Sequence, residues 1–541
     1  MGGALSSTRL ITTISEYQEK PRDHCGVVGV ALIRRNAPDL IVRRLGKLQH
    51  RGQDSVGIST LTNSGIQTEI VEGKVKSLSN QLNPEIDQKR PPSQQEKLQL
   101  AKARALKDRL SGYFGIGHVR YATAGTTELK DSQPFVLQSA NMKIAVAYNG
   151  NIANAAEART ALWDEFGYRC KSEGDTEIMV AFIALYLHER RDIGYALTQM
   201  HGRLDGAYSG VVLTSDGDVG GFRDPLGIRP LCMGQNDDGE IMFASESVAL
   251  WPNFMRGFRD IRPGEMVMAS ISNFTRRDEI AESEPYHEIT SRQLVKPKHK
   301  PAHCMFEWVY FADPASTIDG VPVEEARYQL GVELGRTYRR EFQEVDIIVP
   351  IPDSARPIAQ GVAVTVRKPL REGLLKDRTY HGRTFLMEDE KEREKAIWQK
   401  FQPVPALLEG KSIALVDDSI VRGNTLSQLV LMVRKAGAKR VYAASGCPPI
   451  NFICTNGVDM KHPRELAATD RAHEELEIEL GVDKVLYQSF DGLKRALRKT
   501  RGLCAGCITG IYPTPKGQEL ADLARTAPTG RRLADAAPVP A

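Results

Sequence analysis

Two kinds of hydrophobic pattern run along this chain. In the second half, unbroken apolar runs alternate with stretches at helical spacing. Val345-Asp-Ile-Ile-Val349 and Ile413-Ala-Leu-Val416 read as strands. The second run ends in two acids, Asp417 and Asp418, and a polar loop containing Gly423. Leu426, Leu429, Val430 and Val433 then recur at helical spacing, with Gly437 placed to stop the helix. Alternation of this kind over 325–450 predicts a parallel sheet with helices on both faces, whose ligands sit at the carboxyl ends of the strands. In the first half the apolar runs are shorter, and polar or glycine-rich clusters edge each one. Cys25-Gly-Val-Val-Gly-Val30 is a tight strand that starts at a thiol.

Composition narrows the function without choosing it. The 541 residues call for more than one domain. A net charge of +4 gives no argument for a nucleic-acid partner or an anionic membrane. No apolar run approaches the roughly 20 residues that span a bilayer. The 8 cysteines are too sparse for a disulfide scaffold, so a reduced, cytoplasmic setting is expected. Met1-Gly-Gly-Ala-Leu-Ser6 fits the permissive myristoylation pattern, a signal-peptide h-region is missing, and Glu16, Glu19 and Asp23 count against a transit peptide.

Asp417 and Asp418 stand where a strand hands over to a helix, so backbone N–H groups at the helix start are available to a phosphate. The loop has no Gly-Lys-Ser/Thr and is not the common triphosphate loop. Paired carboxylates beside an anion cradle suit sugar hydroxyls and a magnesium ion. The run Ile413 to Thr425, with Ser-Ile-Val-Arg-Gly inside it, resembles the phosphoribosyl-pyrophosphate (PRPP) signature of type I phosphoribosyltransferases, in the form found in the amidophosphoribosyltransferase family. Pro350-Ile-Pro-Asp-Ser-Ala-Arg356 is similar to that family's second turn at the PRPP site. The resemblance implies that Ser354, Asp417 and Asp418 surround Mg2+ and the ribose. It also implies that Ser419, Ile420, Val421, Arg422, Gly423, Asn424 and Thr425 cradle the 5-phosphate, and that Lys400 reaches pyrophosphate.

The clusters of the first half carry a second resemblance. Leu48-Gln-His-Arg-Gly-Gln-Asp54, Gly117-His-Val-Arg-Tyr-Ala-Thr123, Tyr148-Asn-Gly-Asn151, Gly174-Asp-Thr-Glu177, Arg223 to Pro230 and Ala244-Ser-Glu-Ser247 resemble the glutaminase domain of the N-terminal-nucleophile amidotransferases. Taken singly, Cys25 would be a buried small hydrophobe and Asn149-Gly150 a hairpin turn. Hydrolysis of a side-chain amide needs more: a nucleophile, a base, an oxyanion site and a clamp for the amino acid. A cysteine thiol has a pKa of about 8.5, and a chain that begins at Cys25 supplies its own α-amine, pKa about 7.7–8.0, as base. Residues 1–24 are therefore read as a propeptide or trimmed extension. By resemblance, Asn149 and Gly150 form the oxyanion hole, Arg120 takes the glutamine carboxylate with help from Thr123, and Asp175 pairs with its ammonium. Arg51 looks like the family's mobile glutamine-loop arginine.

Cys504-Ala-Gly-Cys507 alone fits zinc, a redox pair or an iron–sulfur cluster. Its flanks, with Cys304-Met-Phe-Glu-Trp-Val-Tyr-Phe311 and Pro448 to Cys454, match the cluster-binding branch of the same family. The resemblance implies a [4Fe–4S] cluster on Cys304, Cys454, Cys504 and Cys507, with Cys447 spare and zinc as the rival.

The expected architecture is α/β and α+β. An N-terminal-nucleophile glutaminase, an αββα sandwich, covers 25–285. A type I phosphoribosyltransferase domain with a parallel sheet covers 286–515, and a disordered tail covers 516–541. Residues 64–108 read as a polar surface insertion. Two departures from the family stand out: Asn424 replaces a threonine, and Glu388 to Gln402 lacks the family's basic closing loop, with Trp398 and Gln399 in place of arginines. The resemblance implies glutamine and PRPP as substrates, purine nucleotides as inhibitors and a homotetramer. The rivals are another N-terminal-nucleophile amidotransferase, which would aminate an acceptor without PRPP, and a non-catalytic regulatory paralogue.

Overall fold

A computed structural model describes residues 25–33, 36–86, 91–121, 129–139, 142–270, 289–296, 300–377, 397–498 and 502–526. The expected propeptide, Thr123, most of the closing loop (378–396) and the end of the tail (527–541) lie outside the described residues.

The glycine–valine strand of the first half is β1 (Gly26–Ala31), inside a seven-stranded antiparallel sheet. On one side it pairs with β4 (Phe114–Arg120), followed by β2 (Ser55–Thr62) and the edge strand β3 (Gly65–Glu72). A second, six-stranded sheet is built around β5 (Met142–Ile152) and β6 (Gly206–Thr214). Side chains alternate with the strand period of two. Val27 and Ala31 pack against Ala145, Ala147 and Val211 between the sheets. Val28 and Val30 pack outward on α1 (Ala37–Lys47). On the far sheet Ile144, Val146 and Tyr148 pack outward on α2 (Asp175–Glu189) and α3 (Ile193–Arg203). Helix, sheet, sheet, helix is the αββα sandwich expected. Each fully buried Val or Ile contributes about 1.5–3 kcal/mol relative to exposure.

The second half holds a sheet of four parallel strands in chain order: β7 (Ile347–Pro350), β8 (Ser412–Asp417), β9 (Arg440–Ser445) and β10 (Lys484–Tyr487). One face packs on α4 (Val323–Thr337) and α5 (Arg356–Val366) through Ile348, Ala414 and Val416. The other packs on α6 (Asn424–Lys435) through Ile413 and Leu415. Both faces are covered, so the strands read as unbroken apolar runs.

Three expectations are corrected. Residues 64–108 are only partly an insertion: β3 pairs along β2 from Ser55–Glu72 to Thr62–Gly65, and Val75, Leu78 and Leu82 are buried. Its polar look comes from an edge strand with one half-exposed face. The helix Gln94–Leu110, capped by a reciprocal Ser93–Glu96 box, does lie at the surface, burying only Ala103 and Leu110. The sandwich also continues past the boundary expected at 285, because Thr290–Gln293 pairs with Glu265–Ser270. The tail expected to be disordered from 516 begins instead as the helix Pro515–Thr526. That helix docks on the sandwich: the Lys516 amide donates to Asp205 Oδ2 at 2.9 Å and its ammonium pairs with Glu157 at 2.5 Å.

Candidate active sites

Cys25 directly precedes β1. Continuing the Gly26–Val119 register brings it level with Arg120 at the end of β4. The alternation that turns Val27, Phe114 and Ile116 toward the second sheet turns Cys25, His118 and Arg120 the same way. On β5, Ala145 and Ala147 face back, and the same period adds Asn149. Cys25, Arg120 and Asn149 are thereby gathered between the sheets at one end of the sandwich. The thiol lies 3.9 Å from the Tyr121 carbonyl.

Asn149 is fully buried, and neither its Oδ1 nor its Nδ2 makes a hydrogen bond. Leaving such an amide unmatched costs about 1–3 kcal/mol, a cost that a bound ligand removes. Gly150 has a φ of +150°, and a Cβ there would stand 1.9 Å from the Ala207 carbonyl oxygen. Only glycine fits this strand position. Asp175 opens α2 and accepts from the Ile152 amide at 3.2 Å. Burial raises its pKa, offset by the Tyr148 hydroxyl and the Ile152 N–H. His118 is fully buried with neither ring nitrogen hydrogen-bonded. Burial, then the positive charge of Arg120, pushes its pKa down to about 3, so the ring is neutral.

Arg51 departs from the expectation of a mobile substrate clamp. Its guanidinium is fully buried and donates to Glu246 at 2.5 Å and to Glu307 at 3.0 and 3.1 Å. Its Nε–H donates to the main-chain oxygen of Cys25 at 3.4 Å. Two buried carboxylates hold it in place.

The second site lies at the carboxyl ends of β7 and β8, which pair in parallel from Ile347–Ile413 to Pro350–Val416. Asp418 is fully buried; the Ser354 hydroxyl donates to one of its oxygens and the Ser419 hydroxyl to the other, the latter at 2.9 Å. Asp417 Oδ1 accepts the Asp418 amide at 2.9 Å. The Pro352–Asp353 peptide beside Ser354 is cis. Ile420 and Val421 are buried. Arg422 is held from behind by Glu465 at 2.7 Å and by the Asp459 carbonyl at 3.1 Å. Gly423, at φ +88°, turns the chain into α6, so Asn424 and Thr425 form its first turn. Lys400 precedes a short ribbon of Leu374–Lys376 with Phe401–Pro403, its ammonium 5.2 Å from the Phe401 ring centroid.

The cysteines expected to act together share one buried neighbourhood. Cys304 and Cys504 are partners in a two-residue parallel pairing. Cys447, Cys504, Cys507 and Cys304 lie in one core cluster, with Cys454 packed against it. Burial, then the neighbouring Cys454, pushes the Cys504 thiol up to about 11, while an Asn456 hydrogen bond pulls the other way. Cys507 is raised by burial and then by Cys454, Cys504 and Cys304. The Val458 main-chain N–H donates to Cys454 Sγ at 3.3 Å and the Asn456 side-chain Nδ2 to Cys504 Sγ at 3.4 Å. Among the described residues, no three His, Cys, Asp or Glu side chains are set to grip one metal ion.

Comparison with known proteins completes the picture. Residues 118–252 match the model of a glutamine amidotransferase domain. An amidophosphoribosyltransferase of Methanothermobacter thermautotrophicus is 37% identical over 508 residues, covering 93% of this chain and 98% of that protein. That of Escherichia coli is 35% identical, covering 88% of each. The chain belongs to the amidophosphoribosyltransferase family. The solved PRPP amidotransferase of B. subtilis, complexed with ADP and GMP, superposes with a TM-score of 0.74 at 29% identity, covering 92% of this chain and 98% of that one.

For an amidophosphoribosyltransferase, the donor sets are apt. Asp417, Asp418 and Ser354 offer oxygen only, the preference of magnesium, which takes one or two carboxylates plus substrate phosphates. The cysteines offer sulfur only, the preference of zinc or iron–sulfur centres. Sequence reasoning missed His118, Arg229, Glu246 and Glu307. Glu246 lies in the Ala244-Ser-Glu-Ser247 cluster and Glu307 three residues after Cys304. Their positions were visible, but not their partners.

Proposed function

We propose that this chain is a glutamine-dependent amidophosphoribosyltransferase. It converts glutamine, PRPP and water to 5-phosphoribosylamine, pyrophosphate and glutamate, at the entry to purine synthesis. The observation that carries the reading is the union of two sites in one chain. One is a thiol facing an unmatched buried amide in an αββα sandwich; the other is an acid-pair loop at the carboxyl end of a parallel strand.

Residues 1–24 are removed, so that the α-amine of Cys25 takes the thiol proton. The thiolate attacks the glutamine amide carbon, and the Asn149 side chain and Gly150 N–H hold the oxyanion. Ammonia leaves, and water hydrolyses the γ-glutamyl thioester to glutamate. Arg120, with Thr123, holds the substrate carboxylate and Asp175 its ammonium. Ammonia passes inside the protein to PRPP, attacks C1 and expels pyrophosphate with inversion. Ser419 to Thr425 hold the 5-phosphate and Lys400 reaches pyrophosphate. Ser354, Asp417 and Asp418 hold magnesium, which supplies charge neutralisation for the leaving group. Cys304, Cys454, Cys504 and Cys507 hold a [4Fe–4S] cluster with a structural or regulatory role, because neither half-reaction moves electrons. Support comes from their shared burial and from the two N–H groups donated to sulfur. The enzyme is a cytoplasmic homotetramer inhibited by purine nucleotides; among the described residues no helix is long and apolar enough to cross a membrane. Its units are the glutaminase from 25 to about the strand ending at Gln293, and the transferase beyond it.

The test is synthesis of phosphoribosylamine by purified protein, with glutamine or ammonia as donor, alongside N-terminal sequencing. A functional chain begins at Cys25. A native chain still beginning at Met1 or Gly2, or amination of an acceptor without PRPP, rejects the reading. About four irons per chain and broad absorption near 400 nm are expected of the cluster; zinc gives neither.

A further inference from the structure

Beyond the residues that meet glutamine, one charged group remains to be explained. Arg51, Glu246, Arg229 and Glu307 are each essentially without solvent exposure, yet all four belong to one connected set. Glu307 is its hub. It accepts from Arg51 at 3.0 and 3.1 Å and from Arg229 Nη1 at 3.2 Å. Arg51 reaches onward to the Cys25 carbonyl. Arg229 reaches the other way, donating from Nη2 to the main-chain carbonyl of Asn456 at 2.8 Å, and the Asn456 side-chain Nδ2 donates to Cys504 Sγ at 3.4 Å. A second tether runs beside it: Asn151, next to Gly150, donates to the Thr455 carbonyl at 3.1 Å. Glu307 opens a five-residue π-turn, Glu307–Phe311, a geometry often kept at functional positions.

We propose that Glu307 is a positioning residue for glutamine hydrolysis. Through Arg51 it fixes the main chain of Cys25, and through Arg229 it makes that geometry depend on the cysteine-bearing segment at 454–456. The carbonyl that Arg51 holds sets the ψ angle of Cys25. Rotation through that angle swings the α-amine and the thiol together relative to the strand, so it decides where both stand against Asn149 on the second sheet. Arg51 needs a carboxylate on each side because a buried guanidinium stripped of a partner is an uncompensated charge. Glu307 belongs to the segment after the sandwich, so the nucleophile is aligned only when the two halves are docked. The inference rests on Cys25 being the nucleophile.

The test compares Glu307→Gln, Arg51→Gln, their double variant and Cys25→Ala in the full-length, iron-loaded protein. Glu307→Gln is expected to lower kcat for glutamine hydrolysis on the order of 10- to 100-fold, the scale of an ångström-level misplacement. KM for glutamine stays within about two-fold, as does ammonia-dependent synthesis. The pH profile of Cys25 alkylation by iodoacetamide shifts, because the displaced amine and thiol leave the surroundings that set their ionisation. Glu307→Asp restores part of the rate. Arg51→Gln shows the same pattern, and the double variant is no slower than the worse single one, since both act through one contact. Arg51→Gln carries the test if Glu307→Gln does not fold. Wild-type glutamine turnover, an unshifted alkylation profile, additive losses, or parallel loss of both donor activities overturns the proposal. Glutamine-dependent synthesis by Cys25→Ala overturns the nucleophile reading along with it; wild-type turnover in Glu307→Gln beside an inactive Cys25→Ala overturns this inference alone.

Discussion

The two candidate sites of this protein are built on opposite plans. The PRPP-type site is local: one loop from Asp417 to Thr425 carries nearly all of it, and Ser354 arrives from the turn that follows the neighbouring strand. Its carboxylates are already hydrogen-bonded to serine hydroxyls and to the main chain. The glutaminase site is distributed. Arg120 and Asn149 come from strands of different sheets and Cys25 from the residue before β1, and the amide of Asn149 is left unmatched. A satisfied loop can wait for its ligand at little cost. A buried unmatched amide is maintained only because the sandwich around it is rigid, and it gains most when charge develops beside it.

That contrast can be broken most forcefully at the nucleophile. Cys25→Ala is expected to lower glutamine-dependent synthesis by about 10⁴-fold or more while ammonia-dependent synthesis persists, following the triad-member precedent of nucleophile deletion. Asp418→Asn should do the reverse, reducing synthesis from either donor by about 10³-fold, as expected when charge stabilisation at a phosphoryl leaving group is lost, with glutamine hydrolysis retained. Joint loss in either variant would show that the sites are not separable. Asn149→Ala should lower glutaminase kcat by about 10²–10³-fold without lowering the melting temperature, since it deletes a buried polar group that has no partner. A destabilised Asn149→Ala protein would mean that the amide is bonded in the free enzyme.

The smallest effect probes the frame and not either site. Glu265 is fully buried, with Arg259, Arg262 and Ser291 as partners. Burial alone would raise its carboxyl, but the Arg259, Ser291 and Arg262 contacts hold it down at about 2. A depressed carboxylate contributes stability above its unfolded pKa, lost as pH falls from about 4.5 through about 2. Urea titrations across that window should show Glu265→Gln losing about 2 kcal/mol less than wild type on acidification. Equal pH slopes would exclude the ion pair as a source of acid sensitivity.

The same contrast explains what could be read from sequence. The Asp417–Thr425 loop was legible as geometry because strand, turn and helix start are contiguous. Asn149-Gly150 was legible as chemistry but not as geometry. By itself the pair reads as a hairpin turn, yet it lies within β5, where Gly150 is required by the approach of the Ala207 carbonyl. The edge strand Gly65–Glu72 was hidden by its own exposed face, and Thr290–Gln293 by the basic residues around it. The partners that hold Arg51 could not be read, because Glu246 and Glu307 are 195 and 256 residues away. No local pattern marks a buried ion pair closed over that span.

The span between Arg51 and Glu307 also bears on the order in which the protein becomes active. A nascent chain emerges from its N-terminus, and domains generally fold in that order. The sandwich strands through Glu265–Ser270 are therefore synthesised before Glu307, and well before Asn456 and Cys504. On the Glu307 reading, a ribosome that stalls within this interval leaves a folded sandwich whose nucleophile is not yet aligned. Glutamine is thereby spared until the chain that will use its nitrogen is complete.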